Sequence, residues 1–430
     1  MHHPSYSFRR QIVRLRAFNL LLATQFLLRW LVLASLVGAL AGTASAGFLV
    51  ALEWSTRWRE AHPWALALLP AAGLLIGLAY HQFGNRVVKG NNLILEEIHH
   101  PSGVIPLRMV PLVLGSTLLT HLAGGSAGRE GTAVQMGGAL ADQLSRWLPP
   151  AERRLLLMAG MSAGFAAVFG TPLAGAVFGL EVGRRGSMRY EAVLPSFLAA
   201  VLADYVTRAW GVGHTAYPVL LAPPISALTL VSTLLLGVLC GLTARSFAGL
   251  THAVGRWFGR LSYAPLRPVL GGALVAGSMG GLGTMRYAGL GIPVIVEAFQ
   301  HPLPPQDFVL KLLLTALTLG AGFKGGEVTP LFFIGAALGS AVALVLPLPV
   351  ALLAGMGFVG VFAGAANTPL AGTLIGLELF GSGAGSYLGL CCVVAYLFSG
   401  HRGIYVAQVV GQTKLPSASL AKRNSRQLPR

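Results

Sequence analysis

Ionisable groups are scarce in this chain. Of its 430 residues only 14 are Asp or Glu, and charged residues of all kinds make up 10%, against roughly 25% in a water-soluble domain. A soluble globular surface is thereby excluded. Cysteine is nearly absent: Cys240, Cys391 and Cys392 show neither metal-ligand spacing nor a disulfide framework, and they read as packing residues. No His-Glu-x-x-His occurs, and neither a metal nor a cofactor is implied.

What remains is apolar. Hydrophobic residues reach 54% and the mean hydropathy is +0.68, which marks an all-α, polytopic membrane protein. Apolar stretches run at 31–52, 64–80, 155–182, 230–242, 309–322, 331–353, 359–380 and 388–398. Several are shorter than a bilayer crossing or are cut by some of the 56 Gly and 25 Pro. Such interruptions predict tilted and broken helices, since irregular backbone survives at membrane depth only where protein buries it.

The net charge of +17 is concentrated at the ends. Arg9, Arg10, Arg14 and Arg16 precede the first long span; Lys414, Lys422, Arg423, Arg426 and Arg430 follow the last. Basic flanks of this kind fit two cytoplasmic termini. No soluble region is left to bind nucleic acid, and the stretch after Tyr405 is too short for a regulatory domain. Ala44-Ser45-Ala46 imitates a signal-peptide cleavage site, but the apolar run continues to Leu52, which favours a retained membrane helix.

The sequence repeats itself. Thr171-Pro172-Leu173-Ala174-Gly175 recurs as Thr368-Pro369-Leu370-Ala371-Gly372, and Gly179-Leu180-Glu181 as Gly376-Leu377-Glu378, both at an offset of 197. The same offset separates Glu130 from Glu327, Thr132 from Thr329 and Gly138 from Gly335. Upstream, 90–96 ending at His100-Pro101 echoes 291–297 ending at His301-Pro302, at an offset of 201. Arg184, Arg185 and Arg189 map onto uncharged Gly381, Ser382 and Ser386, a weak sign that the repeats face opposite sides. Packing of small residues accounts for the Thr-Pro-Leu-Ala-Gly blocks. It does not account for carboxylates in glycine-rich breaks, Gly124-Gly125-Ser126-Ala127-Gly128-Arg129-Glu130-Gly131 and Gly322-Phe323-Lys324-Gly325-Gly326-Glu327. A carboxylate at membrane depth is costly and reads as a transport or proton-relay group.

A helix that begins inside a membrane aims free N–H groups and its positive dipole end at whatever precedes it. Glycine before that start lets the backbone approach an anion closely. A carboxylate beside such a site can occupy it, leave it when protonated, and so couple a proton to an anion.

Gly128-Arg129-Glu130-Gly131, Gly325-Gly326-Glu327-Val328-Thr329-Pro330 and Gly403-Ile404-Tyr405 together resemble the CLC family of anion channels and anion/proton antiporters, in the family order and over about 31–408. The resemblance implies a CLC-type fold of two inverted repeats, half one at about 31–210 and half two at about 225–408, in a single transmembrane domain. It implies Glu130 as the gating and proton-transfer glutamate and Glu327 as a second carboxylate on the pathway. Asn91, Asn92, Gly128, Arg129, Gly131, Val328, Thr329 and Tyr405 are the implied anion-binding residues. Chloride-transporting members usually carry Gly-Ser-Gly-Ile-Pro in the first loop; here Asn91 falls on the serine. Glu327 and Thr329 stand where most members are apolar, Val328 replaces a phenylalanine, and Val182 stands where chloride antiporters keep an internal proton-relay glutamate. This pattern is similar to the fluoride-transporting branch, which implies fluoride export driven by inward proton movement and fluoride resistance. A homodimer with one pathway per subunit in a bacterial inner membrane is implied as well. A chloride/proton antiporter or passive chloride channel is the alternative.

Fluoride is small, hard and strongly hydrated. An Asn amide offers two donors where Ser offers one, and hydroxyls of Thr329 and Tyr405 would add more. Plainer readings stand beside these. Glu130 can pair with Arg129, Glu327 with Lys324 and Glu181 with Arg184 or Arg185; Glu181 and Glu378 can also cap helix ends. Asn91 and Asn92 can cap a helix, Tyr405 can anchor at the interface, and Glu96 and Glu297 read as structural. His121 and His401 are lone histidines near the motifs. An intramembrane hydrolase built on Ser126 and His121 lacks a glycine just after the serine, and an enzyme is not expected.

Overall fold

The computed structural model describes residues 5–414, with side chains described from residue 23 onward apart from Trp147. The basic side chains at 9–16 and at 422–430, on which the expected placement of the termini rests, lie outside the described ones. The chain is helical almost throughout. In order come α1 (Ser5–Ala61), α2 (Leu69–Ala79), α3 (Asn91–His99), α4 (Met109–Leu122), α5 (Glu130–Gln143), α6 (Pro150–Phe169), α7 (Pro172–Glu181) and α8 (Val193–Ala209). Then follow α9 (Ala227–Gly259), α10 (Leu266–Leu282), α11 (Ile292–Glu297), α12 (Gln306–Gly320), α13 (Val328–Val342), α14 (Val350–Ala366), α15 (Pro369–Phe380) and α16 (Gly385–Phe398). Two short strands, β1 (Arg184–Arg185) and β2 (Val409–Val410), pair in parallel.

Helix length divides the elements into two kinds. Among the described residues, four helical stretches, 23–61, 63–99, 190–209 and 227–259, are long and apolar enough to cross a membrane. Many of the others are half-spans: the 15 residues of α13 rise only about 23 Å, short of a hydrocarbon core of roughly 30 Å. The apolar stretch at 155–182 is two helices rather than one. Gly170, with φ +73°, ends α6 in the left-handed region, and Pro172 starts α7. Asn367 (φ +57°) and Pro369 make the same break between α14 and α15, again 197 residues on.

Membrane-facing helices bury one side. On α9, Gly237, Cys240, Gly241 and Ala244 pack inward while Leu234, Leu235, Leu239 and Leu242 stay exposed. Helices α13 and α14 are buried on nearly every side, as expected of a core without a polar face. Equivalent crossings hold each half together. A methyl group at Gly137 would overlap the Gly160 carbonyl oxygen, and one at Gly335 would overlap that of Gly357. Aromatic rings then join the halves: Phe165 stacks on Phe178 at 4.4 Å between centroids, and both reach Phe362 of α14 at 6.2 Å.

The relation between the halves is visible in two carboxylates. Glu181, at the end of α7, accepts from the N–H groups of Leu370 (3.1 Å) and Ala371 (2.9 Å) at the start of α15. Glu378, near the end of α15, accepts from Leu173 (3.0 Å) and Ala174 (2.8 Å) at the start of α7. Each therefore satisfies helix-start donors that have no partner within their own helix. Two helices that lay their ends on each other's starts run antiparallel, and equivalent helices can do so only about a two-fold axis lying across them. The repeats are inverted. Arg184 and Arg185 do not pair with Glu181; the Arg185 guanidinium donates to the His401 carbonyl instead.

A buried charge network fixes the end of the first half's loop. Arg153 of α6 binds Asp142 of α5 (2.7 and 2.8 Å), Glu97 of α3 (3.0 Å) and the carbonyl of Gly103 (2.8 Å). Asp142 also accepts from the N–H of Ile105 at 2.7 Å. The segment after α3 is thus tied to the end of α5 and the start of α6.

Candidate functional site

The two glycine-rich breaks meet. Gly128 donates its N–H to the Gly326 carbonyl (2.6 Å), and Gly326 returns the bond to Gly128 (2.7 Å). A side chain at Gly128 would sit 2.7 Å from the Pro330 ring, so close approach accounts for glycine there. The exchange brings the starts of α5 and α13 face to face. Their first-turn N–H groups concentrate positive potential in one small region.

Glu130 fills part of that region. It is the first residue of α5 and is fully buried. Its carboxylate accepts from the Thr329 N–H at 3.0 Å and from the Thr329 hydroxyl at 2.6 Å to either oxygen. The Arg129 N–H donates to Oε2 at 3.2 Å, but its guanidinium lies farther off, with Nε 3.6 Å from Glu130 Oε1 and without a hydrogen-bond acceptor. The shorter contacts therefore run to the other repeat, at the start of α13. Val328, the first residue of that helix, is buried beside them.

Glu327 takes the mirrored place. It holds the N-cap position of α13 without a side-chain capping bond, and its Oε2 lies over Gly131 of α5, 3.4 Å from where a Cβ would be, with the Asn91 amide nitrogen 3.1 Å from the same point. Oε2 of Glu327 and Oδ1 of Asn91 are both buried without a hydrogen-bond partner. Lys324 forms none of the ion pairs found among the described residues; its ammonium lies over the Tyr80 ring at 4.3 Å and 3.5 Å from the Val88 carbonyl.

A cavity of about 140 Å³ joins Asn91, Asn92, Glu327 and Tyr405. A second, of about 460 Å³, reaches Arg129. The two share no lining residue, and Glu130 lines neither. Asn91 is the first residue of α3 and its Oδ1 accepts no hydrogen bond, so capping does not explain it. Asn92 plays a different part. Its Oδ1 accepts from the Ala407 N–H at 3.0 Å, holding the segment that follows Tyr405. Tyr405 is buried, at 5% exposure, edge-on to Phe178, and is not an interfacial anchor. Gln408 seats the same segment by donating to the carbonyls of Val182 (2.9 Å) and Ala366 (3.2 Å).

The other candidates disperse. Ser126 bonds Thr315 (2.8 Å) and His121 contacts the Gly128 carbonyl (3.3 Å), so no Ser–His dyad forms. Glu96 pairs with Lys89 and Glu297 with Arg286. Three cavity residues are not evident from sequence: Tyr80, Gln135 and Lys324 as a cavity wall. Gln135 lies five positions after Glu130, and Lys324 three before Glu327; spacing from the carboxylates is the signal that was present.

This geometry defines a class: a membrane protein of two inverted helical repeats whose helix starts converge on a buried carboxylate. The family model described as "Voltage gated chloride channel" matches residues 72–400, and the chain belongs to that family, the CLC ion transporters and channels; it is not an enzyme. A "Chloride/fluoride channel protein" of Pseudomonas syringae pv. tomato is 54% identical over 90% of this chain and 88% of its own. A solved CLC-type fluoride/proton antiporter superposes with a TM-score of 0.87 at 35% identity, over 90% of this chain and 98% of the other. A slow cyanobacterial Cl–/H+ antiporter shares the fold, with a TM-score of 0.76 at 22% identity over 94% and 99% of the two chains.

Proposed function

We propose that this protein exports fluoride in exchange for protons and so confers fluoride resistance. The observation that carries the reading is the Glu130 carboxylate bound at the start of α13 by the N–H and hydroxyl of Thr329. Those donors suit any small anion, and an acid that competes for them is displaced when it is protonated. One group then serves alternately as gate and proton carrier. Glu327, across the same helix starts, is the second carboxylate on the proton's route. Asn91, Thr329 and Tyr405 supply the donors that offset fluoride's dehydration, with Gly128 and Gly131 leaving room and Val328 closing the side. Asn92 holds the Tyr405 segment, and Arg129 faces the larger cavity. The likeness to a fluoride/proton antiporter supports this reading over a chloride-selective one. Residues 31–210 and 225–408 act as the two halves of one transport domain, working as a homodimer in a bacterial inner membrane with cytoplasmic termini.

Purified protein in liposomes tests the proposal, with fluoride efflux, chloride efflux and proton uptake recorded together. Fluoride efflux with matching proton uptake and little chloride movement is the expected result. Comparable chloride efflux would overturn the fluoride assignment, and fluoride flux without protons would make the protein a channel, as the name of the Pseudomonas relative has it.

A further inference from the structure

Lys324 makes no ion pair among the described residues, and it shares with Glu327 the wall of a cavity of about 140 Å³. Its neighbour at the cavity wall, Lys89, is spent on Glu96 at 2.6 Å. Lys324 instead has the face of Tyr80 at 4.3 Å and one distant carbonyl, that of Val88 at 3.5 Å. Lys324 is half-buried, and an ammonium held only by a ring face and a carbonyl keeps the capacity to bind something negative.

The charged and titratable groups around it come from several elements. Glu327 lies on its own loop, Tyr80 after α2, Lys89 before α3 and Tyr405 after α16; Glu130 of α5 lies beyond the cavity. Asn91 and Gln135 add neutral polar groups, Asn91 being 6% exposed with Oδ1 unpartnered. The cavity adjoins a wider basin of about 520 Å³ through the shared walls Lys89 and Asn92. That basin lies beside β2, at the end of the described chain.

We propose that Lys324 is the anion-loading residue of this cavity, holding the halide that arrives from the basin before it moves on to Thr329. The inference rests on the transport reading above and adds a binding step to it. With Glu327 ionised, the ammonium and carboxylate offset each other and the cavity has little pull on an anion. With a proton on Glu327, the ammonium is unopposed and draws an anion in. Loading is thus conditional on the proton having reached Glu327, which prevents a halide from passing without its exchange partner.

Efflux from liposomes over a range of anion concentrations tests this in the whole protein. Lys324→Gln is expected to raise KM for fluoride about tenfold or more, the loss of a charge-assisted bond, with kcat changed about twofold at most. Lys324→Arg keeps the charge and is expected to stay within about threefold of the wild type. A wild-type KM in Lys324→Gln overturns the proposal. If that variant does not elute as monodisperse protein, Tyr80→Leu, which removes the ring holding the ammonium, must raise KM in the same direction; an unchanged KM there overturns the proposal equally. Should the wild type carry chloride and not fluoride, the fluoride reading fails, and the same series run with chloride still decides the role of Lys324.

Discussion

The carboxylate of Glu130 and the hydroxyl of Thr329 belong to different repeats and lie 2.6 Å apart. Neither half of the chain contains this contact alone. A contact built across a repeat boundary depends on the relative position of both halves, and under the proposed function it makes Glu130 a gate whose ionised form stands where an anion would otherwise bind.

Replacing that acid by its amide removes the titratable group while keeping the shape. Glu130→Gln is expected to abolish fluoride-coupled proton uptake while any residual fluoride movement becomes passive. A pH electrode beside a fluoride electrode reads both at once, and proton uptake that persists in the variant would remove Glu130 from the proton route.

Asn91 offers two amide donors at the cavity wall. Asn91→Ser is expected to shift the fluoride-to-chloride preference about tenfold toward chloride, the equivalent of ~1.4 kcal/mol. Initial rates in matched single-anion liposomes measure it. Unchanged selectivity would leave Asn91 a packing residue.

The carboxylates that join α7 to α15 bear on stability rather than on transport. Glu181→Ala and Glu378→Ala each strip two helix-start N–H groups of their acceptor, at a cost of about 1–2 kcal/mol. Thermal unfolding in detergent, followed by circular dichroism, is expected to shift downward in both variants by similar amounts. Equal loss is the signature of the two-fold relation; no loss in either would mean that water or lipid replaces the caps.

Arg153→Ala is expected to be harsher. Asp142 loses both of its contacts to the guanidinium in a site where its side chain is fully buried, and breaking a buried pair by removing one partner costs about 3–5 kcal/mol. The expected outcome is a large fall in unfolding temperature or in the yield of monodisperse protein. Wild-type behaviour would show that the network tolerates a missing cation.

Much of this is legible from residues alone because the offset of 197 preserves it. The break motifs, the paired glutamates and the Thr-Pro-Leu-Ala-Gly blocks all sit at equivalent places in space. What sequence does not reveal involves backbone partners, which carry no residue identity. Glu181 has arginines nearby in the chain, yet its oxygens are met by N–H groups 189 and 190 positions away. Asn92 likewise binds an N–H, that of Ala407. Hydropathy at 155–182 hides a helix break because Gly-Thr-Pro is uncharged and too short to lower the average of its apolar flanks, although the left-handed Gly170 stops the helix there. The chain sets Lys324 beside Glu327; only the third dimension supplies Tyr80.

The reciprocal bonds of Glu181 and Glu378 carry a historical consequence. An isologous contact is satisfied equally well when both sides are the same molecule. A half-length chain ending in this glutamate would cap the matching helix of a second, upside-down copy with nothing further required. Joining two such copies in one gene then fixes the stoichiometry and frees each side to diverge, as Thr132 and Thr329 have done: one hydroxyl now bonds Thr117 at 2.7 Å, the other the Glu130 carboxylate.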